Sequence, residues 1–164
     1  MMRVGMGYDV HPFGTDGSLI LGGVTVPDAP SLIGHSDADA VAHAVADSLL
    51  GPAGLPDLGE LFPASDAAYA GASSIGLLSD VAARVAAQGW WVGNVDVVIA
   101  AERPRLGPHV TAMAANLSAA LDAAREPNGP PVYAAVRPKR GESLGFVGRG
   151  EGIAVWAVAL LERA

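Results

Sequence analysis

The feature that most constrains this fold is an apolar run from Ile153 to Leu161, which contains no charged side chain. Alternating apolar and polar residues would indicate a strand with one face in water. A nearly continuous apolar run of this length instead predicts a central strand that is buried on both faces. The rest of the chain is therefore expected to build a sheet around it.

The first strand is predicted from an alternation near the start of the chain. Val4, Met6, Tyr8 and Val10 are apolar at every second position, which predicts a strand whose apolar face is buried. Leu19 to Val26, interrupted by two glycines, predicts a returning strand with a bulge or tight turn.

The remaining elements follow from helical periodicity and from turn residues. Helices are predicted over 36–50, over 74–88 and from 108 onward, and further strands over 90–101 and 132–136. Residues 52–73 have little apolar periodicity, and a loop this long inside a compact domain is often functional, so a flexible lid is expected there.

Composition excludes several classes of protein. The chain has 164 residues, of which 51% are hydrophobic and 5% aromatic, with a net charge of -7 and no cysteine. Disulfides and thiolate metal sites are thereby excluded, and the charge disfavours nucleic acid and anionic membranes as partners. There is no apolar run of about 18 residues and no signal-peptide pattern, so a cytoplasmic location is expected.

A metal site is suggested by Asp9 and His11 on the first strand. Residues two apart in a strand point to the same face, so this carboxylate and this imidazole project together. Their oxygen and nitrogen donors suit zinc and several other divalent metals. On this tripeptide alone, an Asp and a His that are merely solvated at a strand end remain the alternative.

The third candidate ligand is His43, on the helix that begins near Ser36 and is expected to end at Gly51-Pro52. Asp39, His43 and Asp47 are spaced four apart and share one helix face. They could form a solvated face, which is the interpretation favoured for Asp47. Alternatively His43 is a ligand and a neighbouring carboxylate holds its other ring nitrogen. Three protein ligands would leave a tetrahedral position open, as in catalytic zinc sites.

A second functional signal is the loop 137–152, which is rich in glycine and contains four cations in an otherwise acidic chain. Its glycines would allow backbone amides to approach a ligand closely, and the cations suit phosphate groups. The alternative is an exposed hairpin with scattered charges. Phe146, which lies among these glycines, is interpreted on the residues alone as a packing side chain.

Taken in order, the motifs of this chain resemble the family of 2-C-methyl-D-erythritol 2,4-cyclodiphosphate synthases. These are cyclising lyases of the non-mevalonate isoprenoid pathway. The resemblance runs nearly end to end and is carried by Asp9-Val10-His11, His35-Ser36-Asp37, His43, Leu61-Phe62-Pro63, Gly93-Asn94-Val95-Asp96-Val97 and Gly148-Arg149-Gly150-Glu151-Gly152. Together with the elements above, it predicts one α/β (α+β) domain spanning 1–164. The expected sheet is mixed or antiparallel with about four main strands, with helices on one face and a small N-terminal hairpin.

The resemblance implies a homotrimer with active sites between neighbouring subunits and one zinc ion per subunit, held by Asp9, His11 and His43. The substrate would be 4-diphosphocytidyl-2-C-methyl-D-erythritol 2-phosphate. Its 2-phosphate attacks the β-phosphorus of the same molecule, which releases CMP and closes 2-C-methyl-D-erythritol 2,4-cyclodiphosphate. A magnesium or manganese ion, held by Glu142, would bridge the substrate diphosphate.

The resemblance also assigns catalytic and binding positions. Catalytic roles fall on His35, Arg140 and Glu142. Phe146 and Arg149 would line a trimer-axis cavity that can hold isoprenoid diphosphates. The positions implied for substrate binding are Asp9, His11, His35, Ser36, Asp57, Leu58, Gly59, Phe62, Pro63, Asp66, Ala101, Pro104, Arg105, Leu106, Gly107, Lys139, Arg140, Phe146 and Arg149.

The sequence departs from the family pattern in two places. Lys139-Arg140-Gly141 replaces a run of threonines, and Ala64 replaces an expected Asp, although Asp66 is retained. A guanidinium at 140 could contact phosphates bidentately or could obstruct the diphosphate. Two alternatives therefore stand beside the synthase. One is a diverged relative that acts on another nucleotide diphosphate, and the other is a non-catalytic trimer that binds isoprenoid diphosphates.

Overall fold

The element order is shown by a computed structural model that describes residues 1–163. The strands are β1 (Met2–Pro12), β2 (Leu19–Leu21), β3 (Val24–Val26), β4 (Trp91–Ala100), β5 (Tyr133–Lys139) and β6 (Gly152–Glu162). The α-helices are α1 (Ala40–Ala53), α2 (Leu58–Leu61), α3 (Ser74–Ala87), α4 (Val110–Ala120) and α5 (Gly145–Gly148). Short 3₁₀ turns lie at Ala67–Tyr69, Gly107–His109 and Asp122–Ala124.

The apolar run forms β6, and it lies inside the main sheet as the sequence predicts. The four strands are ordered β1-β6-β4-β5, with β4 and β5 parallel and the other pairs antiparallel. β2 and β3 form a separate hairpin. The predicted mixed sheet of four strands and the predicted small hairpin are both confirmed.

The prediction that β6 is buried on both faces is wrong within one chain. One face is covered, but Trp156 and Val158 on the other are 40% and 43% exposed. The prediction for β1 is wrong in the same direction, because Val4 and Met6 are 69% and 70% exposed. Their faces coincide, since Tyr8 pairs with Trp156 across the two strands and their rings lie 5.3 Å apart. The alternation of apolar residues in β1 identified the apolar face of the strand, but it did not show what covers that face.

The covered face of β1 has glycine at positions 5 and 7, which lets helix α1 lie directly on this part of the strand. A Cβ at Gly5 would come within 2.1 Å of the Ser48 carbonyl oxygen, and one at Gly7 within 1.9 Å of the Ala44 carbonyl oxygen. No larger residue fits at either position. This close approach places the polar end of β1 beside the first turns of α1.

Both ends of α1 differ from the prediction. The N-cap is Asp39, whose side chain accepts hydrogen bonds from the Val41 and Ala42 amides, so Ser36 lies before the helix and does not cap it. The helix also continues through Pro52 to Ala53, and its C-cap is Gly54, which has a positive φ of 77°. Gly51-Pro52 therefore does not end the helix.

The other helices and strands lie close to their predicted positions. α3 begins at Ser74, and Leu78, Val81 and Val85 on it are fully buried. β5 is longer than predicted because it continues to Lys139. The segment 52–73, predicted as an irregular loop, contains α2 and a 3₁₀ turn. Within residues 1–163, no helix combines the length and apolarity required to cross a bilayer.

Candidate metal centre and substrate clefts

Asp9, His11 and His43 come together as the sequence predicts, although they lie on two elements. Asp9 and His11 lie near the end of β1, and His43 lies in the first turns of α1. The Asp9 Oδ2 atom is 3.0 Å from His11 Nε2 and 3.1 Å from His43 Nδ1. One potential ligand atom from each residue lies within 4.8 Å of the other two. These are an oxygen and two imidazole nitrogens converging on one point.

The orientation of His11 supports a cation at this point. Its Nδ1 lies 2.6 Å from the Ile33 carbonyl oxygen and donates its hydrogen there. The opposite nitrogen, Nε2, is buried and has no properly directed hydrogen-bond partner, although Asp9 is near. A buried ring nitrogen that lacks a hydrogen-bond partner and faces a carboxylate is the arrangement expected of two ligands with a divalent metal between them.

The electrostatics agree with this arrangement. Burial alone would raise the pKa of Asp9, but its contacts with His11 and His43 outweigh burial and lower the pKa to about 2. The contact with Asp9 raises the pKa of His11, against the opposing effect of burial. Without a metal, the contacts with the two imidazoles therefore stabilise the carboxylate form of Asp9.

The second nitrogen of His43 does not contact a carboxylate, which corrects the sequence-based expectation. His43 Nε2 lies 2.9 Å from Ser74 Oγ and 3.2 Å from Ser36 Oγ. Asp39 is fully buried and accepts from the Gly22 and Gly23 amides of the hairpin turn, as well as capping α1. It therefore joins the hairpin to the helix.

Asp47 is not the solvated residue favoured by the sequence analysis. It is half-buried, and its Oδ1 accepts from the Leu58 amide at 2.9 Å, where it supports the start of α2. Burial raises the pKa of this carboxyl.

The metal cluster opens into a small pocket of about 300 Å³. Several of the predicted substrate-binding residues line it: Asp9, His11, His35, Ser36, Leu58, Gly59 and Phe62. The His35 ring is exposed and its Nε2 is 3.2 Å from the Asp66 carbonyl oxygen, which ties the ring to the 52–73 segment. Within that segment, the rings of Phe62 and Tyr69 meet edge to face at 5.3 Å.

The second group of predicted residues lies around a separate open cleft of about 1490 Å³. The members of the set that line it are Ala101, Pro104, Arg105, Leu106, Gly107, Lys139, Arg140 and Arg149. None of these lines the metal pocket, and no ligand of the metal cluster lines this cleft. Within one chain, the predicted site is therefore divided into two parts.

The cations of the glycine-rich loop are largely paired with acids. Arg137 contacts Asp96, Arg149 contacts Glu151, and Arg140 contacts Glu102. Among the described residues, Lys139 forms no ion pair. The loop is therefore not a free cluster of positive charge.

Glu102 was missed by sequence reasoning. Its side chain is only 12% exposed, and it accepts from the Arg140 guanidinium and from the Gly141 amide at 3.1 Å. The available signal was an acidic residue preceding two arginines in the 101–107 loop. Sequence alone could not show that this residue contacts a loop 38 positions later.

The other predicted site residues line neither cleft in the single chain. Asp57 caps α2, and its Oδ1 accepts from the Glu60 amide at 2.9 Å. Asp66 caps the following 3₁₀ turn. Glu142 and Phe146 are exposed on the loop between β5 and β6, and Pro63 is half-buried beside Phe62.

Comparison with known proteins agrees with this fold and site. The model of the YgbB family matches residues 2–162. This chain belongs to the YgbB family. A family member from Bordetella petrii, named 2-C-methyl-D-erythritol 2,4-cyclodiphosphate synthase, is 49% identical over 99% of this chain and 96% of its own length.

Solved structures of family members show the same architecture. The bifunctional IspDF of Campylobacter jejuni superposes with a TM-score of 0.89 at 36% identity, covering 100% of this chain and 43% of that one. The Plasmodium falciparum IspF, solved as a CDP complex, superposes with a TM-score of 0.81 at 30% identity, covering 99% of this chain and 96% of that one. The resemblance noted from the motifs is thereby confirmed at the level of the family.

Proposed function

We propose that this chain is a metal-dependent cyclising lyase of non-mevalonate isoprenoid biosynthesis. It converts 4-diphosphocytidyl-2-C-methyl-D-erythritol 2-phosphate to 2-C-methyl-D-erythritol 2,4-cyclodiphosphate and CMP. The observation that carries the proposal is the convergence of Asp9, His11 and His43 in a pocket also lined by His35 and Ser36, in a member of this family. The name of the Bordetella petrii relative supports the same activity.

The metal of the proposed site is zinc, held by Asp9 Oδ2, His11 Nε2 and His43 Nδ1. When bound, it supplies Lewis-acid polarisation of a phosphate oxygen. The second ion, magnesium or manganese, would arrive with the substrate diphosphate and contact Glu142. Both assignments of metal identity belong to this proposal.

The protein groups act mainly by positioning, since both reacting phosphates belong to one substrate molecule. Such an intramolecular transfer gains most from fixed geometry and from charge neutralisation. His35 and Ser36 line the metal pocket and would orient the erythritol phosphate. The 101–107 loop would hold the cytidine, and Lys139 with Arg140 would neutralise the diphosphate at the edge of the second cleft.

The proposal includes a homotrimer with shared active sites. Its support is the exposed apolar face of the sheet, which includes Val4, Met6, Tyr8, Trp156 and Val158. A contiguous apolar surface of this kind marks an interaction site in most proteins. A shared site would also bring the metal pocket of one subunit beside the second cleft of its neighbour. An isoprenoid diphosphate near Phe146 and Arg149, and a cytoplasmic location, are further parts of this proposal.

The direct test is phosphorus NMR of the purified protein incubated with the cytidylyl substrate, zinc and magnesium. Appearance of the cyclic diphosphate together with CMP is the expected result, and His43→Ala should abolish it because a ligand is lost. Unchanged substrate with a folded, zinc-loaded protein would reject the proposed activity. Turnover of other nucleotide diphosphates in that same sample would instead identify a diverged relative.

A further inference from the structure

The two ring nitrogens of His43 face two different carboxylates, one directly and one through a serine. Nδ1 lies 3.1 Å from Asp9 Oδ2, on the side of the metal cluster. Nε2 lies 2.9 Å from Ser74 Oγ, and Ser74 in turn contacts Asp37 Oδ1. This second side of the ring lies away from the metal cluster and takes no part in the ligand set.

The direction of the hydrogen bonds follows from what each group can donate. An ionised carboxylate only accepts, so the single hydroxyl hydrogen of Ser74 is donated to Asp37. Ser74 Oγ must then act as acceptor toward His43, which requires the hydrogen of the neutral imidazole to be on Nε2. When a metal is bound, Nδ1 would then present its lone pair to that metal.

Asp37 and Ser74 are held firmly enough to impose this arrangement. Asp37 Oδ2 accepts from the Ser74 amide at 3.1 Å, so the two residues are joined by two hydrogen bonds. Asp37 Oδ1 also accepts from the Asp39 amide at 3.2 Å, and the Asp37 amide donates to the Ala72 carbonyl oxygen at 3.1 Å. Ser74 is only 1% exposed, so water does not compete for its hydroxyl.

We infer that Asp37 and Ser74 are positioning residues for the metal centre, which fix His43 in the form that carries hydrogen on Nε2 and presents Nδ1 as a ligand. A metal-bound histidine commonly donates its other N–H to a carboxylate or carbonyl, which sets its tautomer and orientation. In this chain the buried serine stands between the imidazole and the carboxylate. The inference rests on the metal site proposed above, and it adds two residues outside the ligand set.

The chain provides a matched control in the neighbouring serine. Ser73 Oγ caps α3 by accepting from the Gly76 amide at 3.3 Å, and it forms no hydrogen bond with the His43 ring. Ser73→Ala therefore perturbs the start of the same helix but leaves the contacts among Asp37, Ser74 and His43 in place. Ser36→Ala tests the other hydroxyl near Nε2, which lies farther away at 3.2 Å.

The test measures zinc affinity of the metal-stripped protein by competition with a chromophoric chelator. Ser74→Ala is expected to weaken zinc binding about tenfold or more, as removal of outer-shell partners commonly does. Ser73→Ala should bind zinc as the wild type does, and Ser74→Thr, which keeps the hydroxyl, should retain most of the affinity. With cobalt(II) in place of zinc, the visible absorption spectrum should change in Ser74→Ala and not in Ser73→Ala.

The outcomes separate this inference from the proposed metal site. If the wild type binds zinc and Ser74→Ala binds it with the same affinity, the inference is overturned and the proposed metal site stands. Loss in Ser36→Ala without loss in Ser74→Ala would overturn it as well. Failure of the wild type to bind zinc would reject both. If Ser74→Ala does not fold, Asp37→Asn serves as the second variant, with a smaller loss expected in the same direction.

Discussion

At the scale of single residues, the two clefts are each organised by one carboxylate. Asp9 lies between two imidazoles in the metal pocket. Glu102 lies between a guanidinium and a backbone amide in the larger cleft. A carboxylate in a cleft proposed to hold phosphates would repel its ligand. The Arg140 guanidinium offsets that repulsion at Glu102, and a bound metal would offset it at Asp9.

Removing Glu102 should release Arg140 and the Gly141 amide from their present positions. We expect Glu102→Ala to lower kcat/KM about tenfold, because a displaced guanidinium no longer meets the diphosphate in a fixed geometry. Folding stability should change little, since Arg140 is largely exposed. Steady-state kinetics check this, with Asp122→Ala as control because it removes only the exposed pair with Arg125 at 3.2 Å. Equal kinetics in Glu102→Ala and the control would show that the pair does not position Arg140.

The stability of the metal-free protein should depend on pH through Asp9 and His11. The pKa of Asp9 is lowered from 3.8 to about 2 on folding, so its contribution is present above pH 3.8 and is lost as pH falls toward 2. The pKa of His11 is raised above 6.5, so its contribution is complete below pH 6.5 and is lost as pH rises through the folded pKa.

The two contributions therefore overlap between pH 3.8 and 6.5. Urea unfolding in the presence of a chelator should show the largest difference between wild type and Asp9→Asn near pH 5. With zinc, the difference should instead grow toward pH 8, because the ligating imidazoles must be neutral. A difference that does not vary with pH in the metal-free protein would contradict the electrostatic account of this cluster.

At the scale of elements, the contact between β1 and α1 positions the metal centre. Two of the three candidate ligands lie on the strand and the third on the helix. The separation of strand and helix is set by the two glycines of the covered face, because any Cβ there would meet the helix backbone.

Gly7→Ala should therefore destabilise the protein by about 3 kcal/mol, since the added Cβ would lie 1.9 Å from a backbone carbonyl oxygen. Gly76→Ala in α3 is the control, because its added Cβ would only make an ordinary contact with the Ser73 side chain at 3.8 Å. That change should stabilise α3 by about 0.5 kcal/mol through helix propensity. Urea unfolding measures both free energies. A neutral Gly7→Ala would mean that α1 does not lie as close to β1 as described.

The sequence predicted most elements and the metal ligands, because both leave local patterns. Apolar spacing located α3 and β4, and residue types at spacing two identified Asp9 and His11. The sequence did not predict the features that depend on contacts between distant segments. Asp39 caps α1 and also joins the hairpin, so the helix begins later than a Ser36 cap would give. Ser74 reaches His43 across 31 positions, which no local pattern records.

At the scale of the whole molecule, the outer face of the sheet is an apolar surface that a single chain leaves exposed. Val4, Met6 and Val158 are exposed there, where a chain acting alone would ordinarily have polar residues. The same incompleteness holds for the site, whose predicted residues line two separate clefts. Association of identical chains through this face would cover the apolar surface and would bring the two clefts of neighbouring chains together.

Val158→Glu should break such an assembly, because it places a charge in the middle of the apolar face. We expect sedimentation velocity to show a species of three chains for the wild type and mainly single chains for the variant. Turnover should be lower in the variant, because the proposed active site is shared between chains. Thr111→Glu on the exposed side of α4 is the control and should remain assembled. A wild type that sediments as a single chain and still turns over would contradict the shared-site account.

The most direct test of the account is a crystal structure of the protein grown with zinc and CDP, with anomalous diffraction recorded at the zinc edge. One anomalous peak per chain is expected among Asp9 Oδ2, His11 Nε2 and His43 Nδ1. CDP is expected to extend from the 101–107 loop of a neighbouring chain toward that peak. Zinc at another site, or CDP bound wholly within one chain and away from the metal, would contradict it.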